Sequence, residues 1–152
     1  MKKFSIPFGQ PTIDKKEIDL TVKVLGQPKL VHGKVVEKFE RNFKNFVGSN
    51  YALSVGSCTA GMHLAYIALG IGKGDEVIVT SQTHVATAHT IEFVGAKPVF
   101  VDIETKTGNI NIDLIERKIT KKTKAISIVH FIGIPVDMDK LFYLKHKYKL
   151  FI

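Results

Sequence analysis

The sequence predicts an α/β protein, a mostly parallel sheet covered by helices on both faces in three layers. Three observations predict it. Short apolar runs recur at residues 51–55, 76–80, 98–103, 124–130 and 149–152, with starts about 22 to 26 residues apart, which is room for a crossover helix and far more than a hairpin needs. Helical patterns fill the intervals at 59–69, 83–94, 112–119 and 138–148. The chain of 152 residues is 45% hydrophobic and 24% charged, a composition that excludes a disordered, collagen-like or disulfide-built chain.

Ahead of the sheet, Ile18, Val22 and Leu25 recur at helical spacing behind Asp14 and Glu17, acids that suit the positive end of a helix. This helix ends near Gly26 and Pro28. After a turn at 31–33, a second helix places Val36, Phe39, Phe43 and Phe46 on one face and stops at Gly48. The expected organisation is therefore a helical segment over 1–50 and a sheet-bearing part over 51–152.

The formal charge of +8 is almost all lysine, Arg41 and Arg117 being the only arginines. Base readers and phosphate clamps favour the arginine fork. The lysines are also spread among apolar residues at helix and strand spacing, so solvated faces account for them and no nucleic-acid partner is expected. No apolar run approaches the roughly 18 residues of a spanning helix, and the N-terminus lacks a signal-peptide pattern, so no membrane partner is expected. A single cysteine, Cys58, fits a reducing compartment and a cytoplasmic location. The six histidines have no close carboxylate partners at ligand spacing, and no metal site is expected.

The chemistry concentrates in Ser54-Val55-Gly56-Ser57-Cys58-Thr59-Ala60-Gly61. Small residues leaving a strand and opening a helix expose backbone N–H groups where the helix dipole favours a phosphate. The segment lacks the lysine of a P-loop and the three-glycine spacing of a dinucleotide fingerprint, so a tight turn that binds nothing stays open. So does a nucleophile elbow at Cys58, with His84, His89 or His130 as base. At the other end, Lys149-Leu150-Phe151-Ile152 begins a buried-looking strand and stops without the loop that carries function in such sheets. The chain reads as the N-terminal part of a longer protein, the alternative being a small domain whose last strand closes the sheet.

The chain resembles the sugar aminotransferases of the DegT/DnrJ/EryC1/StrS group, pyridoxal phosphate enzymes of the aspartate aminotransferase fold type. The resemblance starts at Ile6-Pro7 and Lys38-Phe39-Glu40. It runs on through the stretch from Gly56 to Leu64 and Ala68-Leu69-Gly70-Ile71-Gly72-Lys73-Gly74-Asp75-Glu76-Val77-Ile78-Val79. It continues with Thr83-His84-Val85-Ala86-Thr87, Gly95-Ala96-Lys97-Pro98-Val99-Phe100-Val101-Asp102, Val129-His130 and Pro135-Val136-Asp137-Met138-Asp139. Each piece alone is weak, and their order is specific.

The resemblance implies that Ser57, Cys58, Thr59 and Ala60 hold the cofactor phosphate, Thr59 and Ala60 foremost, and that His84 lies flat against the pyridine ring where many members carry Phe, Tyr or Trp. His63 is expected to pack or cap. His89 stands where the family often has Asn, and His130 at the functional edge of the sheet. No catalytic residue is expected in this chain, because the family's lysine and the acid that pairs with the pyridine nitrogen lie beyond Ile152. The implied reaction is amino transfer, with glutamate as donor, to a ketone of a nucleotide-linked sugar in amino-sugar and surface-polysaccharide biosynthesis. The implied full-length protein is a homodimer. A dehydratase of the same family is one alternative, and a non-catalytic phosphate- or nucleotide-binding module is another. The family's sheet order, 3-2-4-5-6-7-1, leaves the strand at 51–55 without its neighbour, so the 152 residues alone are expected to be inactive and prone to self-association.

Overall fold

A computed structural model describes residues 9–31 and 33–152. Ile6, Pro7 and His32 of the sequence reading lie outside the described residues. By packing, the chain separates into two compact units, the first reaching Ser54 and the second being Val55–Ile152.

In the first unit, helix α1 (Lys15–Leu25) opens on a reciprocal cap. The Asp14 carboxylate accepts the Lys16 amide and the Glu17 carboxylate accepts the Asp14 amide, each at 2.8 Å, so donors that the first turn would leave orphaned are satisfied. Helix α2 (Lys34–Val47) ends at Gly48, as its sequence predicts. The rings of Phe39 and Phe43 lie 5.9 Å apart, yet no described residue of either helix is buried. Glu40 ties down the segment that follows, its carboxylate accepting both the amide and the hydroxyl of Ser54 at 2.8 Å.

The second unit is built on three parallel strands, β1 (Glu76–Thr80), β2 (Lys97–Val101) and β3 (Thr123–Ser127), in the order β2-β1-β3. Register runs from Glu76 opposite Lys97 to Thr80 opposite Val101 on one side of β1. On the other side Val79 faces Ser127, after an irregularity between Glu76 and Val77. Helix α3 (Cys58–Ala68) precedes β1, α4 (Val85–Phe93) joins β1 to β2, and α5 (Met138–Tyr148) follows β3.

Alternation along β1 explains the layers, since successive side chains of a strand point to opposite faces. Val77 and Val79 join Tyr66, Ile91, Ala96 and Ala125 in one core cluster, on the side of α3 and α4. Ile78 joins Val101, Ile110, Ile115, Ile126 and Leu141 in the other, on the side of α5. Each fully buried Ile or Val contributes roughly 1.5–3 kcal/mol of transfer free energy.

Three sequence readings change. Residues 51–55 form no strand among the described residues, and Tyr51, Leu53 and Val55 are 88%, 76% and 41% exposed. A strand exists only through ladder bonds to a neighbouring strand, and this segment has none among the described residues. Residues 112–119 form two short 3-10 turns, Ile112–Leu114 and Glu116–Lys118, in place of an α-helix. The buried Ile112 and Ile115 are three apart, which is the period of that tighter helix. Residues 149–152 contribute a single parallel bridge, Phe151 to Ala125. That bridge lies beyond β3, so the predicted second to fifth strands stand in the order expected of the family.

Candidate functional site

Helix α3 begins where Ser57 leaves extended backbone. The Ser57 hydroxyl accepts the Ala60 amide at 3.1 Å, and the Ser57 carbonyl accepts the Gly61 amide at 3.1 Å. Four N–H groups open any α-helix without an internal partner. With Ala60 taken by the cap, the amides of Ser57, Cys58 and Thr59 have no partner among the described residues, and neither has the Thr59 hydroxyl. Cys58 is exposed and Thr59 half-buried.

Unpartnered amides and a hydroxyl at a helix N-terminus are donors of the kind a phosphate dianion takes, and their chemistry fits the phosphate of pyridoxal phosphate. No side chain within hydrogen-bond reach of the Cys58 thiol could act as a base among the described residues. The nucleophile reading of Cys58 therefore gains no geometric support.

His84 is the N-cap of α4, and its Nδ1 accepts the Ala86 amide at 3.2 Å. With Nδ1 accepting, the neutral ring carries its proton on Nε2. The residue is exposed, and the Ala86 amide is its one hydrogen-bond partner among the described residues. Thr83 and Thr87 share a hydroxyl bond of 2.8 Å beside it. Capping and stacking are therefore compatible uses of one imidazole.

Helices α3 and α4 pack on each other. His63 meets Phe93 edge-on at 5.7 Å and His89 lies 6.3 Å from the same ring, so both histidines are packing residues of that contact. His130 follows β3, and its Nδ1 accepts the Val136 amide at 3.1 Å. Open clefts of about 370 Å³, between Phe100, Asp102 and Arg117, and about 650 Å³, between Thr120, Lys124 and Lys149, are lined by other residues. No cluster of three or more metal-ligating side chains occurs among the described residues, and no helix there is long and apolar enough to cross a membrane.

Sequence reasoning missed Asn109. It is 3% exposed, with its side chain bonded to three backbone groups of the loop after His130. Its one signal was a Gly-Asn pair, Gly108-Asn109, at the end of a polar run and just ahead of the apolar alternation that starts at Ile110.

A three-stranded parallel sheet layered between helices, with the turn at Ser57 opening α3, defines an α/β protein. The chain belongs to the DegT/DnrJ/EryC1/StrS aminotransferase family, which matches residues 11–152. An uncharacterized protein of Methanocaldococcus jannaschii, MJ1066, is 43% identical over 147 residues, covering 97% of this chain and 38% of that protein. Spr1654 of Streptococcus pneumoniae, described as a sugar aminotransferase and solved in its PLP form, superposes with a TM-score of 0.91 at 36% identity, over 98% of this chain and 38% of its own. The GDP-4-keto-6-deoxy-D-mannose-3-dehydratase of E. coli, with hydrated PLP bound, gives 0.89 at 29% identity, over 96% and 39%. The chain thus spans less than two-fifths of the length of these relatives.

Proposed function

We propose that this chain is the phosphate-holding part of a pyridoxal phosphate-dependent aminotransferase that moves an amino group, with glutamate as donor, onto the ketone of a nucleotide-linked sugar. The observation that carries the reading is the open first turn of α3. The Cys58 and Thr59 amides and the Thr59 hydroxyl bind the phosphate oxygens, while Ser57 holds the turn in shape through Ala60. His84 would lie against the cofactor ring, with the Ala86 amide holding its Nδ1 edge. When bound, the cofactor supplies an electron sink for the carbon that exchanges its amino group. The lysine that relays the proton and the acid that pairs with the ring nitrogen are assigned to the part of the full-length protein beyond Ile152, and the homodimer and the cytoplasmic location belong to that protein too.

Titration of the full-length enzyme with pyridoxal phosphate, followed by absorbance and competed with inorganic phosphate, tests this reading. Saturable binding that phosphate weakens, followed by amino transfer from glutamate to a nucleotide-linked keto sugar, is the expected result. An enzyme that bound phosphate and no cofactor would be a plain binding module. The likeness to the E. coli dehydratase supports a second reading, sugar deoxygenation on the same cofactor. Loss of a sugar hydroxyl without amine incorporation would select it.

A further inference from the structure

Asn109 is almost fully buried and spends its whole amide on one loop. Its Oδ1 accepts the Phe131 amide at 2.8 Å, and its Nδ2 donates to the carbonyls of Ile134 at 3.0 Å and Pro135 at 3.4 Å. Gly108 completes the clamp. A Cβ there would lie 2.6 Å from the Phe131 ring and 3.4 Å from the Gln82 amide, and its φ of +73° is glycine territory. The clamp thus touches both the loop after β3 and the turn that leads from β1 to His84. Within the held loop Ile132 has φ 52° and ψ 27°, the left-handed region, where a β-branched residue is a genuine outlier. Its side chain is 83% exposed.

A strained backbone persists only where its surroundings over-determine it, and such strain gathers at ligand clamps. Three bonds from one buried amide are that over-determination. The loop lies at the carboxyl end of the parallel sheet, the edge where α/β proteins bind ligands. Resting on the reading above, we propose that Asn109 is a positioning residue that holds residues 131–135 so that Ile132 presents a fixed aliphatic contact to the keto-sugar substrate. Ile132 contributes to sugar recognition and not to cofactor binding.

The test uses the full-length enzyme and whichever of the UDP-, dTDP- and GDP-linked 4-keto-6-deoxyhexoses the wild type consumes fastest. Ile132→Gly relieves the backbone and removes the side chain. It should raise KM for that sugar about ten-fold, the scale of losing apolar contact in a pocket, with kcat, the KM for glutamate and the cofactor titration within about two-fold of wild type. Its thermal midpoint should not fall. Ile132→Val should recover most of the loss. Asn109→Ala should raise the same KM while speeding amide exchange at Phe131; should it fail to fold, the Ile132 pair decides. A sugar KM unchanged in Ile132→Gly, or a lowered midpoint with no change in KM, makes the loop structural and overturns this proposal alone. A wild type that binds no pyridoxal phosphate or consumes none of the sugars removes the aminotransferase reading and this inference with it.

Discussion

The Nδ1 of His84 accepts the amide of Ala86 across 3.2 Å, so the imidazole of an exposed residue starts α4. This capping and the proposed stacking are separable by substitution. His84→Phe keeps a flat ring and loses the cap. It should retain cofactor affinity while lowering stability by about 0.5–2 kcal/mol. His84→Asn keeps a capping oxygen and loses the ring, so it should retain stability and weaken cofactor binding by about 1 kcal/mol. Parallel melts and cofactor titrations read both, and affinity lost equally in both variants would mean that the ring does not stack.

In the proposed phosphate site Thr59 would offer both its amide and its hydroxyl to one anion. Thr59→Ala removes the hydroxyl alone and should weaken cofactor binding by about 1 kcal/mol, the worth of one hydrogen bond. Ser57→Ala frees the Ala60 amide and loosens the turn, so it should cost helix stability as well as affinity. Binding that is unchanged in both would move the phosphate elsewhere.

Burial pushes the Tyr66 phenol above its ordinary value of 10.0, with the Ser127 hydrogen bond pulling the other way. The folded state therefore holds that proton more tightly than the unfolded chain. Its contribution is complete below the unfolded value and declines as pH rises past it, because the unfolded chain ionises first. Denaturant midpoints taken from about pH 9 to about pH 11 should fall more steeply in wild type than in Tyr66→Phe. Parallel pH profiles would show that Tyr66 does not carry the alkaline loss.

Leu141 is fully buried where α5 meets the sheet. Leu141→Ala should cost about 2–5 kcal/mol, whereas Ile78→Val, which removes one methylene from the same core, should cost about 0.5–1.5 kcal/mol. Calorimetry of the full-length enzyme checks the ratio. Equal small losses would mean that this core repacks freely.

Elements whose stability is local were legible in the sequence. Helix α5 and strand β1 have the predicted bounds because Asp137 caps one and the turn at Gly74 opens the other, next to clear apolar patterns. The turn after Val55 was legible for the same reason, since a cap and free amides follow from adjacent residues. Long-range relations decided the rest. Residues 51–55 carry the pattern of a strand and pair with nothing described, because pairing needs a neighbour that no local pattern supplies. Ile112 and Ile115 satisfy helix and 3-10 periods alike, and packing on the sheet selected the tighter one. Asn109 looked like an ordinary loop residue, because its three partners lie 22 to 26 positions away along the chain. By itself the sequence determined the α/β class, the family and the capped turn that opens α3, all written in adjacent residues. Only the tertiary structure decided that residues 51–55 find no strand partner among the described residues and that a buried asparagine sustains the strained loop at Ile132, because each of these depends on which distant groups the fold brings within reach of a hydrogen bond.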